Sequence, residues 1–425
     1  MHPTNSWQRG FWSLMATQFQ NAFSDNALKY LVIMLVLARP MPEAERNSYV
    51  AVVGALFTTP FILFSMFGGW LADRFSKQRI MSAVKLAEIG IMLFAAVALS
   101  IHSLPLELGS IFLMGCHSAI FGPSKYGILP EILPLDRLSW GNGVLELLTF
   151  LGIIMGTVAG MFLAVKFAPH HGVCGLMLTG LAAIGWGLSK GIPSVPAAAP
   201  GCPMRVNPIG DLWKAMKLMR PDRDLWRANW GNTGFFFVAA LIAMNLVPYA
   251  KDVLHLSEVQ NGQLNAALAI GIGLGSVSAG YASRGKIVYR LIPIGAAVMA
   301  LGTVPMGMQG VSTMVFSFAL VTLGFGGGLF IVPIAAVLQH RPSAETKGAV
   351  QGASGVLSNI GILVASLALV VLRQNLHLSS GQVFWFCGAT ALATGTYVAF
   401  TRRTEIFARP TTLAPQEPEE TSKDR

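Results

Sequence analysis

Apolar stretches about 20 residues long recur along almost the whole chain, and short polar segments separate them. This is the length that a helix needs to cross a hydrocarbon core of about 30 Å. A polar interruption of about 38 residues divides the stretches into six and six. They lie at roughly 14–38, 48–71, 80–101, 105–128, 140–165, 172–190, 229–249, 261–283, 288–308, 311–337, 348–372 and 381–401.

Composition supports an all-α membrane protein with 12 transmembrane helices. The 425 residues are 53% hydrophobic and 12% charged, with a mean hydropathy of +0.57, whereas a soluble domain has about 25% charged residues. The first apolar run is too long for a cleavable signal, and no A-x-A-like site follows it. The four cysteines show no CxxC spacing, so we expect neither a disulfide nor a metal site.

The basic residues are distributed unevenly between the two sides of the predicted bundle. One set of loops, together with the termini, carries 22 Lys and Arg, and the opposite set carries 5. The positive-inside rule then places both termini in the cytoplasm. Because this asymmetry accounts for the net charge of +10, we expect no nucleic-acid partner.

An internal repeat relates the two groups of six helices. Gly69 in "GGWLADRFSKQRI" (68–80) aligns with Gly280 in "GYASRGKIVYRLI" (280–292) at an offset of 211, and "GNGVLE" (141–146) aligns with "ASGVLS" (353–358) at an offset of 212. Transporters built from repeats have this organisation. We predict an N-terminal six-helix bundle (1–195), a cytoplasmic linker (196–228), a C-terminal six-helix bundle (229–402) and a disordered cytoplasmic tail (403–425).

The loop after the second span resembles the G-x-L-A-D-R-x-x-K-x-R motif of the major facilitator superfamily. Its matching residues, which we interpret as a gating loop, are Gly69, Asp73, Arg74, Lys77 and Arg79. A carboxylate such as Asp73 can accept hydrogen bonds from the end of a neighbouring helix, and Arg can bind carboxylates or lipid phosphates. Such a contact would form in one access state and break in the other. The alternative is a basic loop that only fixes topology.

Five further segments carry a second resemblance. They are "QFQNAFSDNALKY" (18–30), "VKLAEIG" (84–90), "FGPSKYGILPEIL" (121–133), "GNGVLELLTFLGIIMGTVAG" (141–160) and "VPIAAVLQHR" (332–341). Together they resemble the lysophospholipid transporter (LplT) family. The resemblance implies a bacterial inner-membrane protein that moves lysophospholipids to the cytoplasmic leaflet, where a partner acyltransferase re-acylates them. It also implies Na⁺ coupling. We expect membrane lipids as neighbours, no cofactor beyond a coupling Na⁺ or H⁺, and a monomer.

One departure from that family concerns the seventh helix. The family carries a functional Arg shortly before a V-P pair, whereas "GFFFVAALIAMNLVP" (234–248) contains no basic residue. Asn245 is its only strongly polar side chain. Headgroup recognition by the second half is therefore expected to differ.

Asp25 and Lys29 place two charges inside the first span. They are one helical turn apart, and Gln18 and Asn21 extend the same face, so this stripe should face the bundle interior or a cavity. One interpretation is a structural ion pair. The other is a substrate or ion site in which Asp25 binds Na⁺ or H⁺ and Lys29 contacts either Asp25 or a phosphate.

Further polar residues lie in spans three to five. Lys85 and Glu88 are three residues apart, so Lys85 is either a functional residue or half of a packed ion pair. Lys125 either binds substrate or extends to the membrane surface. We expect Asn142 and Glu146 to share one face of helix 5 and to belong to the site, with Glu146 pairing with Lys85 or Lys125.

Two other functions remain under consideration. Gly143, Gly152, Gly156 and Gly160 partly match the superfamily's antiporter motif, which keeps a proton-coupled exporter of drugs or small amphiphilic solutes as the alternative. Small residues at this spacing also serve helix packing, which we favour. A non-transporting receptor is disfavoured because buried charges are costly. No nucleophile–base pair supports an enzyme.

Overall fold

The computed structural model describes residues 6–204, 207–400 and 411–412. Its thirteen described α-helices are α1 Ser6–Ala38, α2 Glu43–Arg74, α3 Lys77–Ser100, α4 Leu104–Ile132, α5 Leu138–Lys166, α6 Gly172–Ser189, α7 Pro208–Met219, α8 Arg223–Asp252, α9 Glu258–Ala282, α10 Leu291–Met306, α11 Thr313–His340, α12 Lys347–Val370 and α13 Ser380–Phe400. A π-helical turn, Val371–Asn375, extends α12, and short 3-10 turns, Leu135–Arg137 and Ala344–Thr346, precede α5 and α12. β1 Lys286–Ile287 pairs antiparallel with β2 Thr411–Thr412.

The predicted all-α membrane fold is confirmed. Ten helices within the described ranges are long and apolar enough to cross a membrane. α10, with 16 residues, and α13, with 21 residues, supply the remaining two of the twelve predicted spans. The additional helix, α7, lies in the predicted linker. The predicted tail lies outside the described residues except for Thr411 and Thr412.

Helix starts follow local capping chemistry. Asp222 caps α8 by accepting hydrogen bonds from the backbone N–H groups of Asp224 and Leu225. Ser257 and Gln260 form a reciprocal capping box at the start of α9. These side chains satisfy donors that the first helical turn would otherwise leave unpaired.

Two six-helix halves build the bundle. In the N half (α1–α6), α1 packs on α5, α2 on α4 and α3 on α6, and in the C half (α8–α13), α8 packs on α12, α9 on α11 and α10 on α13. The halves meet where α2 contacts α12 and α5 contacts α9. The cavity described below lies between them.

The sequence repeat recurs in this interface. Gly143 of α5 packs on the backbone of Ser276 of α9, and a side chain there would overlap the Ser276 carbonyl oxygen. The repeat counterpart of Gly143 is Gly355 of α12, where a Cβ would lie 3.3 Å from Oγ of Ser65 on α2. Since Ser65 and Ser276 are themselves repeat counterparts, the two helix crossings are related by pseudosymmetry.

We call one end of the bundle the basic end. It comprises the linker between α6 and α8 and the loops 75–76, 133–137, 283–290 and 341–346. Here Arg341 ties α11 to the start of α8: its Nε donates to Oδ2 of Asp222 at 2.7 Å, and its Nη1 lies 3.0 Å from Oδ2 of Asp224. Burial raises the pKa of Asp222, but the hydrogen bonds from Arg341 and from the backbone of Leu225 and Asp224 outweigh it and lower that pKa below its usual range.

Candidate functional site

A cavity of about 460 Å³ lies between the halves. This volume is in the range of small-molecule sites in proteins. Among the described lining residues, all charged side chains come from the N half: Asp25, Lys125 and Glu146. The C half contributes neutral amides and hydroxyls, which are Asn232, Gln339, Gln351, Ser354, Ser358 and Asn359. Apolar walls complete the cavity, among them Phe57, Phe61, Ile153, Phe236, Ile331 and Ile362.

Asp25 is the acidic residue that α1 presents to the cavity. It is 7% exposed, and its Oδ2 accepts hydrogen bonds from Ser118 Oγ at 2.6 Å and from Asn21 Nδ2 at 3.1 Å. Its Oδ1 is buried and has no hydrogen-bond partner within the described part of the chain. One carboxylate oxygen is thus fixed, and the other remains available to a ligand.

Lys29 takes a different position from the one its spacing predicts. Its Nζ lies 5.1 Å from the ring centre of Phe57 and 5.4 Å from that of Tyr30. Within the described ranges it makes no ion pair with Asp25, and it is absent from the cavity lining. The two residues share a helix face, but Asp25 is held by Ser118 and Asn21 while Lys29 packs on aromatic rings.

Lys85 and Glu88 form a buried ion pair behind the cavity wall. Lys85 Nζ donates to Glu88 Oε2 at 2.5 Å and to Asn21 Oδ1 at 2.9 Å, and both charged side chains are fully buried. Gln20 Nε2 also donates to Glu88, at 2.9 Å, and His117 Nε2 lies 3.3 Å from it. Asn21 accepts from Lys85 and donates to Asp25, so it connects this pair to the cavity.

Lys125 and Glu146 lie together on the cavity surface. Lys125 Nζ is 4.2 Å from the ring centre of Tyr126, whose hydroxyl donates to Glu146 Oε1 at 3.3 Å. Neither of the two lysines considered as partners of Glu146 forms an ion pair with it within the described ranges. Lys85 is paired with Glu88, and Lys125 packs on Tyr126, whose hydroxyl bonds Glu146. The cavity therefore presents a cation and an anion beside each other.

Asn142 lies at the contact between the halves rather than on the cavity surface. Its Nδ2 donates to Gln339 Oε1 at 3.0 Å, and Gln339 Nε2 donates back to Asn142 Oδ1 at 2.7 Å. Both side chains are almost completely buried. This reciprocal amide pair joins α5 to α11 on the side of the cavity that faces the basic end.

Sequence reasoning missed several cavity residues. Ser118 and Tyr126 act through Asp25 and Glu146, which lie on other helices, so their spacing in the chain carried no signal. Asn232 donates to Ser354 at 3.0 Å and to Ser358 at 2.7 Å within the C half. The amide of Asn232 near the start of an apolar span could have indicated this residue.

Asp73 joins the N half to the start of α12. Its Oδ1 accepts from the backbone N–H of Gly348 at 2.6 Å, and its Oδ2 accepts from that of Ala349 at 2.9 Å. A carboxylate at a helix N-terminus satisfies unpaired N–H groups and interacts favourably with the helix dipole. Gly69 lies against Gly348, where a side chain would overlap the backbone. We call the contact of Asp73 with Gly348 and Ala349 the Asp73 latch.

The other residues of the predicted gating loop make contacts away from the latch. Arg74 donates to the carbonyl of Cys202 in the linker at 2.8 Å. Lys77 pairs with Glu131 of α4 at 2.6 Å, within the N half, and Arg79 is exposed. Thus Asp73 and Gly69 cross between halves, whereas Arg74 and Lys77 brace the basic end.

The described hydrogen bonds between the halves cluster toward the basic end. They are the Asp73 latch, the Asn142–Gln339 pair and the bond from Ser139 to the carbonyl of Lys286 at 3.0 Å. The cavity is therefore closed toward the basic end in this conformation.

We expect Asp73→Asn to weaken this closure by about tenfold, because hydrogen bonds to a charged group contribute about 1.5–3 kcal/mol. The measurement is the maleimide labelling rate of a cysteine placed at position 351. Gln351 lines the cavity and is 8% exposed. The background variant lacks the native cysteines, and reagent is added from the basic end. Labelling should accelerate in Asp73→Asn but not in Arg74→Gln, whose contact stays outside the interface. Equal labelling rates in Asp73→Asn and its parent would contradict the latch.

Asn245 does not replace the basic residue missing from the seventh span. Its Nδ2 donates to the carbonyl of Ser380 at 2.8 Å, and the side chain is fully buried. It is not among the described residues that line the cavity. Because the seventh span brings no basic residue to the cavity, all charged side chains among the described lining residues belong to the N half.

Three of the four glycines of the α5 motif, Gly152, Gly156 and Gly160, pack against α1. A Cβ on Gly152 would lie 2.8 Å from the carbonyl oxygen of Phe19. Side chains on Gly156 and Gly160 would overlap the carbonyl oxygens of Phe23 and Ala27. These glycines therefore allow the close packing of α5 on α1.

Comparisons with known proteins agree on one family. The sequence profile described as Major Facilitator Superfamily matches residues 14–366. A protein named Lysophospholipid transporter LplT from Citrobacter koseri is 30% identical over 351 residues, covering 80% of this chain and 82% of the relative. Its namesake from Klebsiella pneumoniae (strain 342) is 30% identical over 373 residues, covering 86% and 88%.

Solved structures show the same fold. The human organic anion transporter MFSD10 (TETRAN) superposes with a TM-score of 0.79 at 14% identity, covering 94% of this chain and 100% of that one. A major facilitator superfamily transporter, FucP, in the outward conformation gives 0.73 at 12% identity, covering 92% and 99%.

Proposed function

Since the chain belongs to the major facilitator superfamily and, within it, to the LplT family of lysophospholipid transporters, we propose that it carries lysophospholipids to the cytoplasmic leaflet of the bacterial inner membrane. Membership makes it a secondary transporter and an integral inner-membrane protein, not an enzyme. Direction, coupling ion and cargo are the proposed parts.

The observation that carries the proposal is the two-sided chemistry of the cavity. Lys125 and Glu146 offer a cation and an anion on the N half, which suit the phosphate and the ammonium of a zwitterionic headgroup. The aromatic and aliphatic walls suit a single acyl chain. A small polar solute would use the charges but would leave the apolar walls without a partner.

Asp25 is proposed to hold the coupling cation. Its Oδ1 has no hydrogen-bond partner within the described part of the chain, while Oδ2 is fixed by Ser118 and Asn21. Hard cations prefer oxygen ligands, so Na⁺ suits this position, and protonation of the same oxygen would serve H⁺ coupling. We favour Na⁺, in keeping with the family.

Alternating access is proposed to run through the Asp73 latch. The latch holds α2 against α12 when the cavity is closed toward the basic end. With the basic end in the cytoplasm, as the positive-inside rule predicts, opening the latch releases cargo to the cytoplasmic leaflet. A cytoplasmic acyltransferase would then re-acylate the product.

The test is uptake of labelled lysophosphatidylethanolamine by spheroplasts that lack their own transporter, with Na⁺ and with choline as its replacement. We expect Na⁺-dependent uptake. Lys125→Met should reduce it about tenfold, because a charge-assisted contact contributes about 1.5–3 kcal/mol. Lys29→Met, which lies off the cavity, should retain most of it.

Different outcomes separate the candidate functions. Absence of uptake together with resistance to a toxic dye would replace lysophospholipid transport with solute export. Equal loss in the Lys125 and Lys29 variants would contradict the assignment of the headgroup to the cavity.

A further inference from the structure

Two adjoining crevices open on the outer surface of the N half at its basic end. The larger, of about 510 Å³, is lined by residues of α1, of α3 and of the linker directly after α6, including Arg9, Gln78 and Lys190. The smaller, of about 280 Å³, is lined by α3 and α6. Gln78 and Lys190 line both, so the two crevices adjoin each other. They share no lining residue with the cavity between the halves.

Three cations surround this surface site: Arg9, Arg79 and Lys190. All three are exposed, and none forms an ion pair with an acidic residue within the ranges that the structure describes. Lys190 Nζ instead lies 4.8 Å from the ring centre of Trp186. Lys77, close by on α3, differs because Glu131 neutralises it. The site thus concentrates positive charge without a counterion among the described residues.

The smaller crevice adds an apolar floor to these charges. Arg79, Ala83 and Leu86 occupy one face of α3. Trp186 lies on α6, and Lys190 follows directly after that helix. In both rows of residues the charge lies nearest the basic end. Leu86 is 52% exposed. Exposed apolar residues continue the surface away from the basic end, with Leu93 on α3 at 46% and Ile184 on α6 at 60%.

We propose that the two adjoining crevices together bind an anionic phospholipid as a resident lipid, distinct from the transported cargo. Its phosphate lies among Arg9, Arg79 and Lys190, and its acyl chains lie over Leu86 and Trp186. Guanidinium groups bind phosphate with paired hydrogen bonds, and basic pockets between membrane helices hold anionic headgroups. A free phosphate would pair with the cations but would leave the apolar side chains Leu86 and Trp186 without an apolar partner.

Native mass spectrometry of the full-length protein tests this proposal, with diacyl phosphatidylglycerol and phosphatidylcholine of identical chains as the probes. We expect phosphatidylglycerol to bind about ten- to a hundredfold more tightly than phosphatidylcholine, because each nearby Lys or Arg increases the affinity for an anionic lipid about fivefold. The triple variant Arg9→Gln, Arg79→Gln, Lys190→Gln should lose the preference. Inorganic phosphate should not displace the lipid.

The linker helix α7 offers a matched control. Lys214→Gln, Lys217→Gln and Arg220→Gln remove the same charge from the same end but lie outside the crevice, so the preference should persist. Leu86→Glu provides a second test that leaves the cations intact and should weaken phosphatidylglycerol binding by repulsion. Equal binding of the two lipids by the unmodified protein, equal loss in both triple variants, or displacement by phosphate would each overturn the proposal.

Discussion

We expect Asp25→Asn to remove most of the Na⁺-dependent transport while leaving folded protein in the membrane. Asparagine preserves the size of the side chain and can still accept a hydrogen bond from Ser118. In the unmodified protein Ser118 donates to Oδ2 of Asp25 at 2.6 Å. It removes the charge that the unpartnered Oδ1 offers to a cation. Loss of one charged contact predicts about a ten- to hundredfold fall in coupled uptake.

The measurement combines uptake at several Na⁺ concentrations with the amount of monodisperse protein extracted from the membrane. Asn26→Ala is the matched control, because Asn26 also lines the cavity but donates to the carbonyl of Ala22 at 2.8 Å rather than to Asp25. It should retain the Na⁺ dependence. Unchanged Na⁺ dependence in Asp25→Asn would exclude the coupling role, and loss of folded protein would make Asp25 a structural residue.

The sequence predicted the membrane spans well because lipid imposes a simple rule. Every crossing needs about 20 apolar residues, and the span expected at 172–190 is the helix Gly172–Ser189. Differences arise at helix ends. The seventh span was expected from 229, but α8 begins at Arg223 because the Asp222 side chain caps it outside the apolar run.

The linker helix α7 escaped the hydrophobic pattern. It has 12 residues, too few and too polar for a span. Its start carries the local signal of Asn207 followed by Pro208, with the Asn207 side chain accepting from the backbone N–H of Gly210 at 2.9 Å. A cap residue before a first-turn proline is typical of a helix start.

Site residues were predictable only as far as they share a helix. The one-turn spacing placed Asn21 beside Asp25, which the structure shows as a 3.1 Å hydrogen bond. The same spacing suggested a partner for Asp25 in Lys29, but tertiary contacts compete with it. Ser118 on α4 takes the carboxylate, and Phe57 on α2 takes the ammonium. Such competition between helices has no periodicity in the chain.

Removing the charge of Glu88 should destabilise the protein far more than removing both charges of its ion pair. In the unmodified protein the fully buried Lys85 ammonium lies 2.5 Å from Oε2 of Glu88. In Glu88→Gln this ammonium loses its counterion. Breaking a buried pair from one side costs about 3–5 kcal/mol, whereas replacing both partners with apolar residues is often neutral. The double variant Lys85→Met, Glu88→Leu should therefore recover most of the stability.

Thermal unfolding of the full-length protein, together with uptake, separates the two roles considered for Lys85. Glu107→Gln is the comparison, because Arg39, its partner at 2.9 Å, retains 25% exposure and can be hydrated after the change; we expect a smaller loss. If the double variant is stable and transports, the pair serves packing alone. If it is stable and inactive, Lys85 acts on Asp25 through Asn21, which accepts from Lys85 at 2.9 Å. Equal destabilisation by the single and the double variant would contradict the ion-pair argument, since no uncompensated charge would then explain the loss.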